Sequence, residues 1–375
     1  MGARMNRFSS KKRQDSEFRI IIAGGGTGGH LFPGIAVARE VQTRFKNAGI
    51  LFVVGRKKVE TEILSTYQFQ TESIDVKGLK GQGWKQGFHV LIRIPRSILQ
   101  SATIIRRFSP SVVLGVGGYS SGPFCLTAKG MGMKTAIHEQ NSYPGLTNRL
   151  LARMVDRTFI SFAACKPFLK SKRTVLTGNP VRGELLLNQR TRPKNRKTFC
   201  VLVVGGSQGA RAVNEAFVEA LAQLKTAGKK VRVIHQTGEI DFERVHEEYA
   251  NRGLTGEVVP FIKEMAEAYR FADMVVSRAG ATTIFELAAL GKPSVLIPYP
   301  FAANQHQETN ANALVGIGGA EMLHQKDLNG ESLGRVLMKY MNDRPALQKM
   351  GERAGRIYRP DAAKRIVDEL EALRP

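Results

Sequence analysis

The chain has 375 residues, 56 Lys and Arg against 32 Asp and Glu, and 42% hydrophobic residues, enough for two domains of ordinary size, each with its own core. Its length excludes a short disulfide-stapled module, and its three cysteines, Cys125, Cys165 and Cys200, odd in number, far apart and without a Cys-x-x-Cys pair, suggest neither a disulfide framework nor a thiolate zinc site and point to a reducing compartment. Of the net charge of +24, residues 1–180 carry +19 and residues 181–375 only +5, so the first half faces something anionic: nucleic acid, a membrane surface or a phosphorylated substrate.

In chain order, residues 1–18 carry Arg4, Arg7, Lys11, Lys12 and Arg13 with no apolar stretch behind them, and read as a basic extension, not a secretory signal. No run of 18 apolar residues predicts a membrane span. Arg19–Ala23 is a β-type run that leads into Gly24-Gly-Gly-Thr27-Gly28-Gly29-His30, followed by helical spacing of Ile35, Ala36, Ala38 and Val41. This strand, glycine turn and helix satisfy Gly-x-Gly-x-x-Gly through Gly24, Gly26 and Gly29. An NAD site wants an acid after the next strand, but Ile50–Val54 runs into Gly55-Arg56-Lys57, which suits only a 2′-phosphate. What the turn offers directly is backbone N–H groups at a helix N-terminus, beside His30, for a phosphate or pyrophosphate. A tight packing turn is the alternative.

Between Lys77 and Arg107, seven basic residues and no acid are interleaved with Leu79, Phe88, Ile98 and other apolar residues. This is the pattern of a segment on anionic lipid, with Lys80, Trp84, Lys85, Arg93 and Arg96 facing the membrane. A nucleic-acid surface lacks its interleaved aromatics here, and a core helix with a solvated basic face is the plainer reading. Strands at 112–116 and 135–137 follow, the second ending in His138-Glu139-Gln140-Asn141. Four polar groups at the carboxyl end of a strand mark a site in an α/β sheet, or else cap a helix. Residues 188–197 hold five basic residues and no aliphatic one, as an interdomain linker would.

The strand, glycine turn and helix recur at Phe199–Val204, Gly205-Gly-Ser207-Gln-Gly-Ala210 and a helix carrying Val213, Phe217 and Leu221, 180 residues after the first. Strands at 231–235, 274–277 and 294–297 alternate with helix-length segments, which predicts parallel sheets. A third strand-to-helix turn, Ser277-Arg278-Ala-Gly-Ala281-Thr282-Thr283-Ile-Phe-Glu286, offers N–H groups and hydroxyls to phosphate. Glu286 one turn into that helix either accepts ribose hydroxyls or complements the helix dipole. The amide-rich stretch 300–310 suits sugar hydroxyls or a solvated loop. No Asp-x-Asp clamp or metal-ligand spacing of His and Cys occurs, so neither metal nor cofactor is expected. Ala363, Ile366, Val367, Leu370 and Leu373 share one face of a final helix that should dock on a domain.

Six ordered motifs, Gly25–His30, Gly115–Pro123, His138–Asn141, Gly178-Asn-Pro-Val-Arg182, Gly205–Arg211 and Arg278–Glu286, make residues 19–370 resemble the MurG family of bacterial peptidoglycan N-acetylglucosaminyltransferases. The resemblance implies an α/β fold of GT-B type, with two Rossmann-like parallel-sheet domains facing across a cleft. Its divisions would be a basic extension (1–18), an acceptor- and membrane-facing domain (19–182), a linker (183–197), a UDP-GlcNAc domain (198–355) and a C-terminal helix (356–375) packing back on the first domain. The implied reaction is inverting transfer of GlcNAc from UDP-GlcNAc to the MurNAc 4-hydroxyl of lipid I, giving lipid II. It would occur on the cytoplasmic side of the bacterial plasma membrane, with the protein bound peripherally to the anionic surface and no nucleic acid involved.

By the family pattern, Ile262 lies beside uracil and Glu286 on the ribose. Ser207, Ala281, Thr282 and Thr283 lie at the phosphates, and Gln307 on the sugar hydroxyls. Thr27, Gly28, Gly29, Asn141 and Arg182 complete the donor site from across the cleft, and His306 stands where some relatives have a second glutamine. His30 is the candidate base, since an imidazole exchanges protons near neutral pH, with His138 and Glu139 as fallbacks. An NADP-dependent oxidoreductase and a nucleic-acid-binding module are the rival classes. Neither accounts for the paired glycine turns, Glu286 and the amide-rich loop together.

Overall fold

The computed structural model describes residues 18–26, 28–56, 58–76, 84–187, 198–206 and 209–374, with only the backbone described at 58–59 and 84–94. The first apolar run becomes a central strand because it is buried on both faces. Ile20 and Ile22 join one core layer and Ile21 and Ala23 the other, as the two-residue period of a strand requires. Around it, β1 (Arg19–Gly24), β2 (Gly49–Val54), β3 (Gln70–Ser73), β4 (Val112–Gly117), β5 (Thr135–Glu139), β6 (Arg157–Ile160) and β7 (Thr174–Leu176) form a parallel sheet in the order β3-β2-β1-β4-β5-β6-β7. The helices α1 (Gly28–Arg44) and α2 (Lys58–Thr66) pack on the Ile20 side; α3 (Trp84–Phe108), α4 (Ser121–Gly130) and α5 (Leu146–Leu151) pack on the other.

After a short α6 (Gly183–Leu187) the plan repeats. The strands β8 (Phe199–Val204), β9 (Val231–Gln236), β10 (Glu257–Val259), β11 (Met274–Ser277), β12 (Ser294–Leu296) and β13 (Glu321–Met322) pair in parallel in the order β10-β9-β8-β11-β12-β13. They are covered by α7 (Arg211–Thr226), α8 (Phe242–Asn251), α9 (Met265–Phe271), α10 (Ala281–Ala289), α11 (His306–Val315), α12 (Gly330–Asn342) and α13 (Arg344–Ala354). In both sheets the strand order reverses beside the first strand, between β1 and β4 and between β8 and β11. The crevice outside the carboxyl ends at such a reversal is where an open α/β sheet holds its ligand.

The last helix, α14 (Ala362–Glu371), returns to α1. There Ile366, Val367, Leu370 and Leu373 enter the core of the first sheet, and Glu369 pairs with Arg157 at 2.9 Å. Phe18, grouped above with the basic extension, is 1% exposed and stacks on Phe45 with ring centroids 4.6 Å apart. Phe18 therefore belongs to the core of the first sheet. Residues 1–17 and the linker stretch 188–197 lie outside the described residues. Leu185 of α6 is already buried in the core of the second sheet, so the chain commits to that domain soon after Arg182.

Candidate functional site

The first glycine turn is built against the end of β4. Gly25 donates its N–H to the Gly117 carbonyl at 3.2 Å. At Gly118, φ is +82° and a Cβ would lie 2.0 Å from the Gly25 oxygen; at Gly117, φ is +95° and a Cβ would lie 2.7 Å from Nδ1 of His30. Only glycine fits either position, and the space opened at Gly117 seats the His30 ring. Thr27 lies outside the described residues, while Gly28, Gly29 and His30 form the first residues of α1. The turn is less open to an incoming anion than its glycines imply. Glu60 of α2, 3% exposed, accepts the N–H of Gly26 through Oε1, and its buried Oε2 has no partner among the described residues.

The polar tetrad after β5 divides its labour. Glu139, 2% exposed, takes the N–H and side-chain amide of Asn141 on Oε1 and the Gly145 N–H and Asn148 amide on Oε2. Its acceptor capacity is spent on shaping its own loop. His138 is 1% exposed, with Nδ1 receiving the Gln140 amide at 3.2 Å and Nε2 facing the Gly178 carbonyl at 3.3 Å and the Ser161 hydroxyl at 3.2 Å. Neither fallback base has a free lone pair to offer a substrate, because burial required both to be satisfied internally. Asn141 reaches across to the other domain, accepting from the amide of Asn310 at 3.1 Å. Asn310 is fully buried and also accepts from Ser142 N–H at 2.8 Å.

Burial pushes His138 down to about 4. It likewise pushes down to about 3 the core residue His235, held between Tyr249 and Asn214 at 3.1 Å each. Both bind a proton more readily unfolded than folded, so the stability from burying them neutral is complete above about pH 6.5 and is lost as pH falls through the folded values. Urea unfolding is therefore expected to show stability falling by about 2–3 kcal/mol per histidine between about pH 6.5 and 4.5. A stability independent of pH across that interval would contradict the neutral burial.

The opposite wall is formed by the second domain. Gly280 opens α10 without a side-chain cap, leaving the first N–H groups of the helix, at Ala281, Thr282 and Thr283, for an anion. The Thr282 hydroxyl donates to the Gly29 carbonyl at 2.9 Å, joining the two expected phosphate turns directly. Glu286 is 5% exposed and spans the domains, accepting from Arg182 at 2.8 Å on Oε1 and from the Tyr269 hydroxyl at 3.1 Å on Oε2. Arg182 also lies 3.9 Å over the Phe32 ring, and its buried Nε–H has no partner among the described residues. Although burial alone lowers it, Glu286 holds the guanidinium pKa above its ordinary value.

Gln236, which the sequence did not single out, donates to the Gly206 carbonyl at 3.0 Å and accepts from Ile262 N–H at 3.0 Å. It thereby ties the second glycine turn to the residue expected beside uracil. Ser207 of that turn lies outside the described residues. Before α11, Asn304 and Gln305 both adopt the left-handed region, at φ of +53° and +52°, backbone strain of the kind that collects at ligand loops. Gln307 accepts the Tyr299 N–H at 2.9 Å, which leaves its NH₂ for a sugar hydroxyl, while His306 donates from Nδ1 to the Ala303 carbonyl at 2.7 Å.

Of the residues expected at a membrane, Lys80 lies outside the described residues, and Trp84, Lys85 and Arg93 fall where only the helical backbone of α3 is described. Arg96 is exposed, as are Ile98 and, about one turn on, Leu99. The neighbouring α4 and α5 side adds exposed Leu126, Leu146, Leu150 and Met154, with Phe168 close by in sequence and Arg149 and Arg153 among them. No sequence pattern marks these exposed residues, since they are scattered over three segments. Among the described residues, no helix is long and apolar enough to cross a membrane.

The patterns of the glycosyltransferase family 28 N-terminal and C-terminal domains match residues 20–160 and 200–366. Over 355 residues the chain is 44% identical to the UDP-N-acetylglucosamine--N-acetylmuramyl-(pentapeptide) pyrophosphoryl-undecaprenol N-acetylglucosamine transferase of Syntrophus aciditrophicus, covering 95% of this chain and 98% of that one. The Geobacter metallireducens protein of the same name is also 44% identical, with coverages of 94% and 98%. Among solved structures, MurG of Acinetobacter baumannii superposes with a TM-score of 0.75 at 29% identity, covering 95% of this chain and all of that one.

Proposed function

The chain belongs to glycosyltransferase family 28, and from that premise we propose that it transfers N-acetylglucosamine from UDP-N-acetylglucosamine to the N-acetylmuramyl-(pentapeptide) unit of a pyrophosphoryl-undecaprenol acceptor. The observation that carries this reading is the near-full-length match to transferases of that name, spanning both domains and the cleft between them. The fold alone does not choose the chemistry. UDP-GlcNAc 2-epimerase from Neisseria meningitidis superposes with a TM-score of 0.67 at 12% identity.

The proposed reaction is a single in-line displacement. His30 accepts the proton of the MurNAc 4-hydroxyl as its oxygen bonds to C1 of GlcNAc. The C1–oxygen bond to the β-phosphate breaks, and UDP departs with the electron pair. The leaving charge meets Ser207 together with the uncapped start of α10 and the Nε–H of Arg182, unclaimed among the described residues; the last two are already oriented before the charge develops. Ile262 borders the uracil. Glu286 receives the ribose hydroxyls beside Arg182 and Tyr269, since each carboxylate oxygen accepts two hydrogen bonds. Thr27, Gly28, Gly29 and Asn141 close the site from the acceptor side.

The acceptor is lipid-borne, and the α3–α5 side of the first domain is the proposed membrane face. Its exposed Leu99, Leu146, Leu150 and Arg96, Arg149, Arg153 combine apolar insertion with attraction to anionic headgroups. On this reading the protein sits peripherally on the cytoplasmic surface of the bacterial plasma membrane.

The test is UDP release measured with and without the undecaprenyl-pyrophosphoryl-MurNAc-pentapeptide. Release is expected only with that acceptor present; acceptor-independent conversion of UDP-GlcNAc would contradict the reading. Replacing Gln307 with alanine should reduce the preference for UDP-GlcNAc over its C4 epimer UDP-GalNAc while leaving UDP affinity nearly unchanged, because only a sugar contact is lost. Equal losses of kcat/KM for both donors would remove Gln307 from the sugar site.

A further inference from the structure

A run of polar contacts links the Gly178-Asn179-Pro180 segment to His30, and two backbone carbonyls along it, those of Gly178 and Val116, only accept. Gln140 is 1% exposed and donates from Nε2 to the Val116 carbonyl at 2.9 Å and to Nδ1 of His138 at 3.2 Å. Since Nδ1 of His138 accepts, its proton sits on Nε2, directed at the Gly178 carbonyl at 3.3 Å and the Ser161 oxygen at 3.2 Å. The Ser161 hydroxyl agrees with this direction, donating in turn to the Glu139 carbonyl at 3.0 Å. With the Gln140 amide so oriented, its Oε1 faces Nδ1 of His30 at 3.1 Å and can only accept. His30 must then carry its proton on Nδ1. No hydrogen bond to its Nε2 is found among the described residues, and the half-buried ring presents that nitrogen as a bare lone pair.

We infer that Gln140, itself oriented by Val116 and His138, is a positioning residue that fixes the tautomer of His30 so that Nε2 is the nitrogen offered to the acceptor hydroxyl. The inference rests on His30 being the base of the proposed transfer, and it accounts for two buried members of the tetrad, with His138 orienting the amide and Gln140 holding the imidazole. The opposite tautomer would place an N–H where the acceptor's proton must go and would leave two hydrogen-bond acceptors, Nδ1 and Oε1, facing each other. The Gln140 side chain need not touch either substrate to matter.

The test is nitrogen-15 NMR of the imidazoles in the full-length chain, with His30 signals assigned by their loss in His30→Gln. The wild type is expected to show His30 neutral with its proton on Nδ1. Gln140→Leu should lose that single tautomer and lower kcat about 10–100-fold with the KM for UDP-GlcNAc within about twofold. Gln140→Glu keeps an oxygen facing Nδ1 and should retain the Nδ1–H tautomer, but it loses the donor to Val116 and His138 that orients the side chain, so its kcat should fall between those of Gln140→Leu and the wild type. A wild-type His30 protonated on Nε2, or a Gln140→Leu protein whose His30 tautomer and kcat both match wild type, overturns the inference. If Gln140→Leu does not fold, the wild-type spectrum and Gln140→Glu decide the matter. A wild-type protein that shows the Nδ1–H tautomer yet transfers no GlcNAc is a failure of the functional reading instead, and the spectrum separates the two.

Discussion

Replacing His30 with alanine is expected to lower kcat by about 10²–10⁴ while leaving UDP-GlcNAc affinity unchanged, the loss that follows removal of a general base. The geometry makes this a sharp expectation. His138 and Glu139, the two fallback bases, have their lone pairs committed to Gln140 and to the Asn141–Asn148 loop, so neither substitutes for the missing imidazole. Steady-state kinetics with each substrate varied in turn will read it. A variant that only raises the KM for the lipid acceptor would move His30 from proton transfer to binding of the acceptor pyrophosphate.

The second large effect is expected at Glu286. Its alanine variant should weaken UDP-GlcNAc binding by about 1–3 kcal/mol, as when a charged acceptor is removed. It should also be less stable than wild type by about 3–5 kcal/mol, because Arg182 would stay buried with its charge unpaired. Titration calorimetry and urea unfolding measure the two separately. A Glu286→Ala protein that loses stability but binds donor as tightly as wild type would make the carboxylate a brace between domains and remove it from the ribose. Glu286→Gln, which keeps an acceptor for the Tyr269 hydroxyl, should fold better than the alanine variant and still bind donor poorly.

The parallel sheets were legible because their inner strands are buried on both faces and so read as continuous apolar runs, as in Ile20–Ala23 and Phe199–Val204. The outer strands were not. Gln70–Ser73 is polar and half-exposed, and Glu321–Met322 is two residues long, too little for any period to register. The glycine turns marked two of the strand-to-helix junctions, since few other patterns place glycines between a strand and a helix.

What no local pattern carries is a partnership across the fold. Arg182 meets Glu286 104 residues away, and Asn141 meets Asn310 169 away. Glu60 shows the same limit from the other side. The acid that a dinucleotide site wants was missing at the end of the second strand, where Arg56 and Lys57 stand, yet an acid a few residues later turns back to hold Gly26. Its helix also carries exposed Glu62, and composition alone gave no reason to tell the two apart.

The most direct test of the account is transfer of labelled GlcNAc from UDP-GlcNAc to a lipid I analogue in detergent, with chelator present, UDP-GalNAc as competitor and the product's anomeric configuration read by NMR. The account predicts a β-linked GlcNAc on the MurNAc 4-hydroxyl, formed from UDP-GlcNAc in preference to its epimer. An α-linked product would contradict the single displacement, and an unmodified acceptor beside a protein that still binds UDP-GlcNAc would contradict the assigned acceptor.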